Sequence, residues 1–172
     1  MRESGGPSLG MGPEGVLLYQ WWVFIHIVGV LGFLLAHGVS VAVLFALRRE
    51  RDPDRIRALL GLSGQSATAF YVSFLVLLGG GLAAATWGHW WSAGWPWLAL
   101  GVLFGLMLLM YFLAKPFYER VRRLMAIQSG GGTAVGEAEI AAATGGPVPA
   151  IIAVSGATGL VFIVYLMVLK PF

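Results

Sequence analysis

The sequence predicts an all-α integral membrane protein, a four-helix transmembrane bundle with both termini outside (N-out/C-out). Three observations lead there. Of the 172 residues, 58% are hydrophobic and only 11% charged, with a mean hydropathy of +0.82, whereas a soluble domain carries about 25% charged residues. Four apolar segments are each long enough to cross a hydrocarbon layer of ~30 Å. None alternates apolar and polar residues with period two, which argues against a barrel, and helices are then what satisfies the backbone in lipid.

Taken in order, the elements begin with residues 1–14, a Gly/Pro/Ser-rich stretch expected to be a flexible tail. It holds one Arg and two Glu, so it lacks the positive start of a signal peptide. Residues 15–172 are expected to form one transmembrane domain. The first span, Gly15–Leu47, is 33 residues long, roughly 50 Å at the helical rise, so it must tilt or project beyond the bilayer. In "DPDRIRALLGLS", Asp52 is a candidate N-cap and Pro53 suits the first helical position. Ile56, Leu59 and Leu60 share one face there, which predicts a segment lying at the membrane interface before turning into the second span. That span is Ala67–Trp87, the third is Trp97–Phe117 and the fourth Ala150–Leu169. Between the last two, Ser129–Pro149 reads as a Gly/Ala linker with a helical turn or two around Ala138.

The charges set the orientation. "RRERDPDRIR" and "KPFYERVRR" together hold nine of the eleven Lys and Arg residues, which places these two connections in the cytoplasm. The connection "GHWWSAGWPW" has no formal charge and belongs to a tryptophan belt, with Trp87, Trp90, Trp91, Trp95 and Trp97, at the outer interface. Trp21 and Trp22 sit at the same level. The bacterial cytoplasmic (inner) membrane is the expected location. The net charge of +3 therefore answers to a lipid bilayer, with no nucleic-acid partner expected. Lys115 before Pro116, and Lys170 before Pro171, are placed to snorkel to the two headgroup layers.

Several enzyme classes are excluded. There is no cysteine, hence no disulfide, iron–sulfur or thiolate-metal chemistry. No carboxylate lies within a span, so an Asp or Glu proton relay has no residue. A Walker A loop, an HExxH motif and a serine elbow are all missing. Small residues mark close helix packing instead: Gly79 to Gly81 and Ala83 to Ala85 in the second span, Ser155, Gly156 and Gly159 in the fourth. Gly101 and Gly105 form a GxxxG in the third, a motif of homodimers.

Chemistry rests on the histidines. His26 and His37 stand inside the first span, eleven positions apart. At ~100° per residue the two share a face to within about 20°, roughly 16 Å apart along the axis. Two ligands on one stripe is how a helix holds stacked cofactors, and haem b suits neutral imidazole and an apolar bundle interior. Gly29, nearest the histidine face among the neighbouring glycines, is expected to leave room for the ring. His89, in the outer connection, is a candidate second ligand for His26. Met107, Met110, Lys115 or a second copy's His37 are candidates for His37. The competing reading makes each histidine a packing residue, hydrogen-bonded to a carbonyl or to Gln20, Ser40, Thr68, Tyr71, Ser73 or Tyr111.

The stretch "FIHIVGVLGFLLAHGVSVAVLFALRRERDPDRIRALLGLS", with "MYFLAKPFYERVRR" and "VLKPF", resembles a domain-of-unknown-function family of small bacterial four-helix integral membrane proteins. More distantly, the opening Ile25-His26-Ile27-Val28-Gly29 is similar to that of the HemJ-type protoporphyrinogen oxidases, whose histidine ligates haem, and to that of the CopD-type copper-resistance proteins. That likeness implies an axial-ligand role for His26 alone. The expected function is a b-type haem protein relaying electrons between a partner and the quinone pool, with a larger redox or membrane complex as the expected partner. The alternatives are a non-catalytic membrane anchor or scaffold, and copper handling through His26, His37, Met107 and Met110.

Overall fold

A computed structural model of the chain describes residues 12–129 and 136–172. Five helices follow in order: α1 (Pro13–Arg49), α2 (Pro53–Trp87), α3 (Trp95–Ser129), α4 (Glu137–Thr144) and α5 (Val148–Leu169), with one 3₁₀ turn at Trp90–Ser92. Among the described residues there is no strand. Four stretches are long and apolar enough to cross a membrane: Pro13–Arg49, Pro53–Trp87, Trp95–Ile127 and Glu137–Leu169. The all-α four-span bundle is therefore as the sequence predicts. Large apolar side chains cover its outside: Leu35 is 73%, Phe112 69% and Val168 70% exposed. Such a surface is stable only against hydrocarbon, and the chain is a multi-pass membrane protein.

The helices outrun their apolar cores. The tail expected over residues 1–14 lies, through Met11, outside the described residues, and α1 already starts at Pro13. Asp52 caps α2 as expected, its carboxylate accepting from the Asp54 N–H at 2.9 Å, with Pro53 next in line. The interfacial segment expected after it does not turn: α2 runs unbroken from Pro53 to Trp87. Ile56 and Leu60 face inward, into a buried core that they share with Phe117, Val121 and Met125 of α3. Likewise α3 continues through Pro116 to Ser129; proline removes one helical hydrogen bond but does not end a helix packed on both sides. The helical turn expected near Ala138 is α4, whose Ile140, Ala143 and Thr144 are buried. Residues 130–135 of that linker lie outside the described residues.

Packing divides the bundle into two pairs, α1 on α2 and α3 on α5, which touch each other at far fewer places. At the arginine-rich end the pairs close on a dry core of Val43, Leu44, Leu47, Ile56, Leu60, Phe117, Val121, Met125, Ile140 and Ile152. Just above it, Ser40 and Ser66 join hydroxyls across α1 and α2 at 3.0 Å, and Ser66 donates on to the Ser63 carbonyl. Tyr118 of α3 donates to the Ser40 carbonyl at 3.4 Å. Toward the tryptophan-rich end the two pairs separate, and the interior is hollow.

Candidate functional site

The separation leaves an apolar cavity of about 600 Å³ between α1, α2, α3 and α5, a size typical of pockets for drug-sized ligands. It follows α1 from Tyr19 to Val41, roughly 33 Å at the helical rise. Most of its wall is Leu, Val, Ile and Ala; its titratable groups are Tyr19, His26, His37 and Lys170, with no carboxylate among them. Both histidines of α1 thus border one space.

Each is held differently. The His26 ring lies on α2, where Nδ1 is 2.6 Å from the Leu77 carbonyl oxygen. An oxygen there can only accept, so Nδ1 carries the proton and Nε2 keeps its lone pair. Glycines make this approach feasible. A Cβ on Gly81 would stand 2.8 Å from His26 Nδ1, and one on Gly80 would stand 2.7 Å from the His26 backbone nitrogen. The ring is thus set by α2, and its second nitrogen is free for other work.

His37 has no hydrogen-bond partner among the described residues. It stacks on Phe33 of its own helix, with centroids 6.4 Å apart and planes 10° from parallel, and leans on Phe70 of α2 at 6.5 Å. Its Nε2 points across to α5 and α3: a Cβ on Gly156 would meet Nε2 at 2.6 Å and the Met110 methyl at 2.8 Å. Imidazole nitrogen and thioether therefore converge on one glycine. None of Gln20, Ser40, Thr68, Tyr71, Ser73 or Tyr111 supplies either histidine with a hydrogen bond; Ser40 is taken by Ser66, and Tyr111 by Lys115.

Two expected site residues lie elsewhere. Gly29 does not border the cavity: it is buried against α2, where a Cβ would overlap the Leu77 backbone, 2.6 Å from its Cα. Its missing side chain makes room for a helix, and Gly38 is the α1 glycine on the cavity wall. His89 is exposed, in a left-handed conformation (φ 54°) just after α2, and is not on the cavity wall, so no His26–His89 pair forms. Met107 and Met110 both border the cavity, while Lys115 bonds the Tyr111 hydroxyl at 2.9 Å, outside it. Among the described residues no three His, Cys, Asp or Glu side chains gather as a metal site.

Three partners escaped sequence reasoning. The Leu77 carbonyl carries no side-chain signal. Gly81 and Gly156 stand out in sequence only as packing residues, although each in fact seats an imidazole. Gly101 and Gly105 have nothing within 4 Å, so that face of α3 is open toward lipid. No protein-family model, curated protein or solved structure matches this chain.

Proposed function

We propose that this protein resides in the bacterial cytoplasmic membrane, binds b-type haem in the cavity, and relays electrons between a partner and the quinone pool. One observation carries the reading: two intramembrane imidazoles open onto a single apolar cavity, and one has its Nδ1 already committed to a carbonyl. A histidine ligand commonly donates its other N–H to a carbonyl or carboxylate, which fixes the tautomer and ring orientation. The residues present fit the group: neutral imidazole for the iron, hydrocarbon walls for the macrocycle, and a thioether beside the deeper histidine. Haem, when bound, supplies one-electron chemistry. The chain's part is to aim His26 Nε2 through Leu77, to hold His37 and Met110 together at Gly156, and to exclude water. The likeness of Ile25–Gly29 to haem-ligating first helices points the same way.

The test is a reduced-minus-oxidised visible spectrum of protein purified from a haem-replete host. Soret and α bands are expected, with haem per protein falling at least about tenfold in His26→Ala and the bands shifted or weakened in His37→Ala. A colourless protein that copurifies with a stable partner overturns the reading in favour of a non-catalytic anchor or scaffold. The open Gly101/Gly105 face favours that second reading. Copper bound without haem, and lost with His26, His37, Met107 or Met110, overturns it in favour of metal handling.

A further inference from the structure

At the tryptophan-rich end the cavity meets a feature that electron relay does not use. Lys170, just past the end of α5, is the only charged residue on the cavity wall among the described residues. Its ammonium sits 3.9 Å from the Trp90 ring centroid and 5.9 Å from that of Trp95. No carboxylate lies within ion-pair distance of it among the described residues. Below it, Trp95 is only 9% exposed, and its indole Nε1 has no hydrogen-bond acceptor. Buried donors are nearly always satisfied, and an orphan is usually explained by something missing from the picture. A cation without an anion and a donor without an acceptor thus stand together where an apolar cavity opens to the interface.

We propose that this mouth is a carboxylate site: Lys170 receives the acidic head of a large apolar ligand whose body runs down the cavity toward His37. The cavity's shape and charge argue the class. It is long, it is walled by hydrocarbon, and its one cation among the described residues suits a carboxylate. There is no arginine fork and no cluster of hydroxyls of the kind that phosphate recognition uses. In this arrangement the ammonium lies at the interface, where ion pairing is less screened than in bulk water, and the aromatic rings hold it over the opening. Two sources share the chemistry: the propionates of haem and the carboxylate of a long-chain fatty acid. The inference uses the same cavity as the haem reading and does not require iron.

The experiment compares each acid with its methyl ester, which keeps the body and removes the charge. Protein in phosphatidylcholine nanodiscs is titrated with haemin and haemin dimethyl ester by absorbance. Spin-labelled stearic acid and its methyl ester are followed by the immobilised fraction of the spectrum. Wild type is expected to prefer at least one acid over its ester by about tenfold or more. Lys170→Gln loses that preference, and Lys170→Arg, which keeps the charge, retains it. The proposal is overturned by equal binding of acids and esters, by a preference that survives in Lys170→Gln, or by binding of neither acid. The two readings fail separately. Stearate discrimination without haemin binding removes the haem reading and leaves the carboxylate site. Haemin and its diester binding equally with His26-dependent spectra, together with equal binding of stearate and its ester, does the reverse.

Discussion

Glu50 shows how much one side chain settles. It ends α1, and its carboxylate accepts the backbone N–H groups of Arg51 at 2.9 Å and Asp52 at 3.0 Å, closing a three-residue turn into α2. Those two bonds hold its pKa below the ordinary glutamate value, with Arg55 adding a smaller pull. A carboxyl whose folded pKa is depressed stabilises the fold above its unfolded pKa, and the contribution disappears as pH falls through the lowered value. Thermal melting in detergent is therefore expected to drop on the acid side of the normal glutamate range. Glu50→Gln, which keeps the shape and loses the charge, is expected to melt below wild type near neutral pH and to converge with it below the glutamate range, so that the acid limb flattens. An unchanged acid limb in the variant shows that another group governs it. Residue-scale logic also explains His26, where an accepting carbonyl selects the tautomer and so decides which nitrogen is available.

Between elements, what counts is how closely two helices can lie. The α1–α2 contact uses glycines from both sides: Gly29 against Leu77, Gly32 against Ser73, Gly80 against the His26 backbone and Gly81 against its ring. Without water in the bilayer, helix association relies on van der Waals fit, so small residues at the seam matter more than apolar ones. Two neighbouring positions give a matched pair. Gly80→Ala places a methyl 2.7 Å from a backbone nitrogen, forcing the helices apart at a cost on the order of 1–3 kcal/mol. Gly79→Ala meets nothing within 4 Å and is expected to be neutral or stabilising by up to ~1 kcal/mol from helix propensity. Melting temperatures of the two variants in one detergent settle the point; equal values would falsify the seam. The haem and stearate titrations should follow the same order, since Gly80→Ala also displaces His26.

Over the whole molecule the interior is uneven. A dry core fills the arginine-rich end, and a cavity occupies the tryptophan-rich end. That polarity has a physical origin in the elements: α4 adds a fifth helix only at the arginine end, so nothing fills the gap between the pairs at the other. The nine basic residues at the filled end predict that this end faces the cytoplasm. The chain contains no cysteine, so single substitutions report sidedness directly. Ser92→Cys, in the tryptophan loop, is expected to react with a membrane-impermeant maleimide in intact cells. Arg55→Cys, at the start of α2, is expected to react only after permeabilisation. The opposite pattern would invert the bundle and place the cavity mouth in the cytoplasm.

Hydropathy determined the number of spans, and local sequence the N-cap at Asp52, because each depends on local composition or on backbone geometry over a few residues. The shared face of His26 and His37 was legible for the same reason, since it needs only the pitch of one helix. The partners of those residues were not. Helices that are apolar all round carry no stripe to separate lipid-facing from interior positions, so hydrophobicity cannot say which face meets which. That choice fell to steric fit between a glycine and a residue some fifty positions away, such as Gly29 with Leu77 and Gly80 with His26. Only this tertiary fit turned Gly29 into a packing residue, removed His89 from the site, and brought Lys170 over Trp90. The extent of α2 and α3 was likewise tertiary, because Ile56 and Leu60 of α2 share a buried core with Phe117, Val121 and Met125 of α3.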